Sequence, residues 1–179
     1  MSIDVRVEGD IAPIRRHMSE TERKVIPKAQ SMALNKTGSK LRTATVRGAS
    51  RRTGIKQKIL RPRINFKGRL RATPRRLAAT MIVNARPVPV HQLGKPKQTK
   101  RGVNIGRQHK FPGAFIPRDG GPVFRREGPS RLPIERIDIP ILDDAQSAAQ
   151  SAMRDVAQRE YPIELERAIN QQLRKIRNS

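Results

Sequence analysis

The chain has 179 residues, with 39 Lys and Arg against 15 Asp and Glu, a formal net charge of +24 and a sequence pI near 11.8. That length fits one domain, while a hydrophobic content of 35%, with four Phe, one Tyr and no Trp, limits it to a thin core. The lack of cysteine excludes disulfide frameworks, thiolate metal sites and cysteine nucleophiles, and no apolar run approaches the ~20 residues of a membrane-spanning helix.

Ile3, Val5 and Val7 alternate with Asp4, Arg6 and Glu8, which predicts a short strand ended by Gly9. The same alternation replaces the apolar block of a signal peptide, so a soluble protein made inside the cell is expected. From Pro13 to about Val25, Ile14, Met18, Thr21 and Val25 recur at helical spacing in a polar helix. Pro27 fits the first turn of a second helix. That helix carries Ala29, Met32, Ala33, Leu34, Thr37 and Leu41 on one side to about Gly48. Gly38 weakens it by roughly 1 kcal/mol relative to Ala.

Residues 47–76 read as a basic arm. Ile55, Ile59, Leu60 and Ile64 give it weak helical periodicity with Thr53 as N-cap, and Pro62, Gly68 and Pro74 interrupt it. Leu77 to Val83 predicts a strand. Asn84 to Leu93 predicts another, confined to an edge by Pro87 and Pro89. Gly94 to Lys110, with only Val103 and Ile105 apolar, reads as a mobile basic loop. Phe111 to Ile116 and Pro122 to Arg126 predict paired strands around the turn at 118–121. Pro129 to Ile141 permits only edge pairing around Pro133 and Pro140. Asp143 or Asp144 caps a helix with Ala145, Ala148, Ala149, Ala152, Val156 and Ala157 on one face. Leu165, Ala168, Ile169, Leu173 and Ile176 continue that face after Pro162, which either kinks a long helix or starts a new one.

The charge is concentrated. Residues 1–22 hold three basic and five acidic side chains, residues 119–179 hold ten of each, and residues 23–118 hold 26 basic side chains with no Asp or Glu. A surface charged only for solubility intersperses both signs. An acid-free stretch of this length points to a strongly negative partner, nucleic-acid phosphate first among them.

Catalytic chemistry is not legible. His17, His91 and His109 are isolated, no Gly-rich phosphate loop or nucleophile motif occurs, and the acidic residues lie near the ends. Glu135 and Asp138 are expected to pair with central arginines, so a metal-dependent nuclease is disfavoured and an enzyme is not expected. There is no zinc-finger spacing, and the aromatics are too few for a stacking platform, so any binding is sequence-independent and salt-sensitive. The candidate contacts are Arg47, Arg51, Arg52, Lys56, Lys58, Arg61, Arg63, Arg69 and Arg71, with Lys95, Lys97, Lys100 and Arg101 from the loop. Composition alone would fit a cellular nucleic-acid-binding protein of ribosomal or nucleoid type.

A run of short motifs points elsewhere. Phe111, Pro112, Gly113, Ala114, Phe115 and Ile116 are followed by a Gly turn, by Val123-Phe124-Arg125-Arg126-Glu127-Gly128, and by Leu132-Pro133-Ile134 and Ile139-Pro140. This order resembles the prophage minor tail protein Z family, the tail completion proteins of lambda-like long-tailed phages. Val25-Ile26-Pro27-Lys28-Ala29 and Met32-Ala33-Leu34-Asn35 are similar to the same family's first long helix. The loop at 94–110 is less Arg-rich than the family pattern.

The resemblance implies a non-enzymatic virion protein that needs no cofactor and acts at the head-proximal end of the tail in head–tail joining. Its implied partners are the tail terminator, the head–tail connector and the tape-measure protein, with genomic DNA a further candidate, in a six-fold homo-oligomeric ring and with no membrane. The expected fold is α+β, a small twisted antiparallel sheet from segments 77–93 and 111–141 packed on helices 27–48 and 143–177. Phe111, Phe115 and Phe124 are expected to pack that sheet on the C-terminal helix, and Pro112 and Gly113 to shape the strand entry.

Overall fold

The computed structural model describes residues 2–8, 20–84, 86–106, 108–118 and 120–178. It is an α+β structure organised around one 34-residue helix, α1 (Glu20–Thr53). Val25, Ala29, Ala33, Leu34, Thr37, Leu41, Thr45, Val46 and Ala49 are buried along it, mostly at the three- and four-residue steps that keep one face inward. The face is built of small and hydroxylic residues. Thr45, Thr43 and Thr53 each donate a hydroxyl to the carbonyl four residues back at 2.8–3.0 Å, which satisfies polar groups inside the helix. Gly54, at φ +68°, ends the helix with its N–H on the Ser50 carbonyl at 3.0 Å, a left-handed C-terminal stop that favours glycine.

Two expectations fail here for physical reasons. The helix runs through Pro27 instead of starting at it, so one internal hydrogen bond is sacrificed; residues 13–19 of the preceding predicted helix lie outside the described residues. Thr53 closes α1 and does not cap a following helix, its hydroxyl being committed to Ala49 and to the Ile55 N–H. The short α2 (Gln57–Leu60) comes after it.

The strands form four small antiparallel sheets. In the first, β1 (Ser2–Glu8), β3 (Ala78–Asn84) and β2 (Ile64–Asn65) lie in the order β1-β3-β2. Val5 faces Met81 and Ile64 faces Val83. Ala79, Met81 and Val83 are buried, and β3 packs on α1 and on a later helix, α3 (Leu142–Ala152). Pairing of β4 (Val88–Pro89) with β11 (Asp138–Ile139) forms a two-stranded edge, consistent with prolines that cannot serve a central ladder.

Gly94 to Lys110, expected as an irregular loop, instead forms most of a sheet of β5 (Pro96–Thr99), β6 (Gly102–Ile105) and β7 (His109–Pro112). Its only two apolar residues, Val103 and Ile105, are both buried. Gln98 does the work that apolar periodicity would have signalled. Its amide donates to the Gly102 and Ala114 carbonyls at 3.2 and 3.3 Å and its oxygen accepts from the Ile116 N–H at 3.0 Å. The predicted pairing around the 118–121 turn is present as β8 (Ala114–Phe115) on β9 (Phe124–Arg126), extended by β10 (Ile134–Arg136).

Helix α3 is followed by a π-helical turn over Met153–Ala157 and then by α4 (Gln158–Arg177), which contains Pro162. The wide turn ends just before the Gln158 carbonyl that the Pro162 ring crowds. Asp143 and Asp144 lie in the first turn of α3 and make no side-chain cap bond. Their contribution is charge near the positive helix end. Ala145, Ala148, Ala149 and Ala152 of α3 are buried as predicted.

Helix α4 departs in phase. Its buried positions are Glu164, Ala168 and Gln172, whereas Leu173 and Ile176 are 50% and 47% exposed. A buried ion cluster sets that phase. Glu164, 4% exposed, receives Lys40 of α1 at 2.7 Å and Arg167 at 3.0 Å, while Lys40 also meets Glu160 at 2.6 Å. The hydrogen bond from Lys40 holds the Glu164 carboxyl below its ordinary value against the opposing effect of burial.

One aromatic contact fixes the other side of α1. The Phe66 ring lies against Gly38, so closely that an added Cβ would overlap it. Gly38→Ala is therefore expected to lower the urea midpoint, with an overpacking cost of about 1–3 kcal/mol exceeding the ~1 kcal/mol gain in helix propensity. Phe66→Leu in the same chain should recover part of the loss. For Glu164, whose folded pKa is depressed, the stabilisation is complete above about 4.5 and disappears as the pH falls through the folded value. Glu164→Gln should lower Tm at pH 7 and give a shallower loss of Tm on acidification than the unsubstituted chain.

Candidate polyanion-binding surface

The candidate cations sit on three adjoining structures. The first is the end of α1 and the segment after it. Arg51 and Arg52 occupy its last turn, where the negative end of the helix dipole favours cations. Arg47, Arg51, Arg52, Lys56, Lys58 and Arg61 are all exposed. Arg42, which sequence reasoning did not single out, ties this segment to the helix through its Nε on the Ile64 carbonyl at 2.7 Å and a terminal nitrogen on the Arg61 carbonyl at 2.9 Å. Arg63 is half-buried and internally engaged, donating to the Ile59 carbonyl at 3.0 Å and to Gln92 at 3.4 Å. It braces the segment more than it presents charge.

The second is the loop between residues 67 and 76. Asn35 of α1 holds it by two reciprocal bonds to Ala72, Nδ2 to the carbonyl at 2.9 Å and Oδ1 from the N–H at 2.8 Å. Thr73 and Arg76 exchange backbone bonds at 2.9 and 3.0 Å, and the Arg76 guanidinium donates to the Arg69 and Arg71 carbonyls. The loop is thereby folded on itself while Arg69, Arg71 and Arg75 point to solvent.

The third is the β5-β6-β7 sheet. Lys97, Asn104 and Lys110 are register neighbours across its three strands, and Lys95, Lys97, Lys100 and Arg101 are exposed. Gly102 is required there, since a Cβ would meet the Phe111 carbonyl and its φ is +143°. The sheet meets the end of α1 at an open cleft of about 490 Å3 lined by Gly54, Lys56, Lys95, Lys97, Gln108 and His109.

Among the described residues, carboxylate ion pairs engage Lys36, Lys40, Arg136 and Arg167, and none engages a candidate cation. Asp138, expected to pair with a central arginine, instead binds Arg136 two residues away at 2.6 Å. No group of three or more His, Asp or Glu side chains suited to a metal ion occurs among the described residues. No described helix is long and apolar enough to cross a membrane.

The motif residues shape the neighbouring sheets. Phe111 lies at the margin of the core and stacks on His109 at a centroid distance of 6.5 Å. Gly113, at φ +70°, turns the chain and donates to the Arg101 carbonyl at 3.0 Å, between exposed Pro112 and buried Ala114. Phe115 and Phe124 pair with each other at 6.3 Å, with Arg126 5.9 Å from the Phe115 ring. Pro133 and Ile134 are exposed at the β9-β10 end.

This order of helix, cationic segment and small sheets is matched over residues 12–178 by the model of the family described as prophage minor tail protein Z. The chain belongs to that family. It is 28% identical to the tail completion protein of Escherichia phage N15, over 89% of this chain and 92% of that protein. It is 25% identical to tail completion protein Z of Escherichia phage lambda, over 89% of this chain and 93% of that protein. No solved structure matches. As a minor tail protein Z family member, the chain is a structural component of a phage tail, which sets aside the ribosomal or nucleoid reading.

The 67–76 loop of this family member is tied to α1 by the Asn35 side chain and by burial of Ala72 in the core. Asn35→Ala removes both bonds to Ala72 and leaves a backbone N–H and carbonyl unpaired, a cost of about 1–3 kcal/mol. Amide exchange at Ala72 and Arg76 should accelerate well beyond that of Met81 and Val83 in β3.

Proposed function

We propose that this chain completes the head-proximal end of the tail and makes it competent to join a DNA-filled head, without catalysing a reaction. Its cationic surface lies against the leading end of the genome. The observation that carries this reading is the set of exposed cations at the C-terminal end of α1 and the segment after it, on the 67–76 loop and on the β5-β6-β7 sheet, none paired to a carboxylate among the described residues. Duplex DNA carries one negative charge per ~1.7 Å of axis and offers the long anionic surface that such a tract suits. The tail terminator, the head–tail connector and the tape-measure protein are the protein neighbours of this position in the neck. Six copies in a ring match a six-fold tail, and exposed Leu132 and Ile134 at the start of β10, with Leu173 and Ile176 on α4, supply apolar surface for subunit contacts.

Complementation tests the reading. An extract from cells infected with a phage lacking this chain should contain filled heads and separate tails. Adding the purified chain should restore infectious joined particles. A chain carrying Arg47→Gln, Arg51→Gln and Arg52→Gln should enter tails yet restore at least tenfold fewer particles. Efficient joining without the chain would overturn the reading.

A further inference from the structure

The exposed cations at the end of α1 and on the 67–76 loop stand on convex elements, whereas two clefts gather others into concave sites, one on the β5-β6-β7 sheet with Lys100, Arg101 and Lys110 and one between that sheet and α1. In the second, Lys56 comes from the segment after α1, Lys95 and Lys97 from the entry to β5, and His109 from the start of β7. The floor is apolar, formed by the buried side chains of Ile55, Leu93 and Ile105. The His109 ring lies parallel to that of Phe111, with an interplanar angle of 7° and centroids 6.5 Å apart, and its Cε1 and Nε2 edge is 3.5 Å from where a Cβ on Gly54 would stand. Gly54 (φ +68°) and Gly106 (φ +61°) line the same cleft, and nothing lies within 4 Å of the Cβ position at Gly106. Backbone is therefore accessible beside the lysines. No carboxylate lines the cleft, and no lysine in it has an ion-pair partner among the described residues.

We propose that this cleft is a phosphate-anchoring site that holds one backbone segment of DNA while the convex cations contribute only long-range attraction. The site rests on the reading that the basic surface meets the genome. Converging ammonium groups over an apolar floor act in a lower local dielectric than the same groups on a convex surface, so each is worth more to a bound anion. His109 adds a ring N–H donor beside the lysines. A phosphodiester fits better than an acidic protein surface because the cleft offers no deep apolar pocket for the large anchoring side chain typical of protein interfaces. A phosphodiester needs only charge and donors.

The test uses the full chain and a fluorescent 20-base-pair duplex of arbitrary sequence, with affinity followed against salt. Lys56→Gln with Lys95→Gln and Lys97→Gln is compared with a control of equal charge, Arg69→Gln with Arg71→Gln and Arg75→Gln. The cleft variant should lose at least tenfold more affinity than the control at 0.15 M salt, and its slope of log K on log salt should fall by about 2.7, the value for three lost phosphate contacts. Replacing the same three lysines by Arg should retain most of the binding. In the unsubstituted chain the His109 ring resonances should shift on adding the duplex.

Equal losses in the two triple variants would overturn the cleft as an anchor and leave the genome-contact reading standing. A chain that fails to bind duplex DNA at any salt would overturn both. Binding of polyglutamate as tightly as DNA, with the same dependence on the cleft lysines, would replace the phosphodiester by an acidic protein surface.

Discussion

Close approach along α1 is the constraint on which the rest of this structure depends. A chain with four Phe, one Tyr and no Trp cannot fill a core with bulk, so its elements must come close together. Small residues make that possible. An added Cβ at Gly48 would stand 3.0 Å from the Ala148 Cβ of α3, and at Gly38 it would enter the Phe66 ring. The alanines of α3 complete the contact. Native interiors keep a fixed packing density, and here it is reached by backbone proximity in place of side-chain volume. A 34-residue helix shared by β3, α3 and α4 then serves as the common wall of one thin core.

The same helix separates the two signs of charge. On the side facing α4, Lys40 is drawn into the cluster around Glu164, and Lys36 lies 4.0 Å from the same carboxylate. A buried carboxylate is tolerated only when partners replace its lost water, and Lys40 with Arg167 fill that role. Near the helix end the cations have no such partners among the described residues, and main-chain carbonyls hold the segment in place. Arg42, Arg63 and Arg76 spend their guanidinium donors on main-chain carbonyls. These internal arginines order the segments that display the remaining ones. The cationic region is thus built from two populations, one structural and one free, which composition alone does not distinguish.

What the sequence made legible follows from which physical signal each element uses. β1 and β3 carry alternation and strand-forming residues. The alanine face of α3 repeats at helical steps, and all are found where pattern places them. The β5-β6-β7 sheet is held by Gln98 side-chain bonds and by the close pass of Gly102 against Phe111, neither of which leaves a periodic trace. In α4 only Ala168 of the apolar stripe Leu165, Ala168, Ile169, Leu173 and Ile176 is buried, because a salt-bridged glutamate on the neighbouring stripe turns the helix toward α1. For the basic surface, charge runs identified the region and its sign. How the segments that display the cations are held depends on bonds from Asn35 to Ala72 and from Arg42 to Arg61 and Ile64, which cross gaps that spacing does not encode.

The concentration of charge also bears on assembly. Like charges in a desolvated contact cost several kcal/mol, so copies of this chain gain little by meeting through their acid-free centres. The surfaces left for neighbours are those where charge is mixed and apolar side chains are exposed: the β9-β10 end with Leu132 and Ile134, and the outer face of α4 with Leu173 and Ile176. In a ring that brought the cationic regions of its members together, their mutual repulsion would oppose closure until an anion entered. On the proposed reading that anion is the end of the genome. The repulsion would then act as a coupling, with the ring most stable once DNA has arrived, so that retention of DNA and completion of the tail would be two consequences of one charge balance.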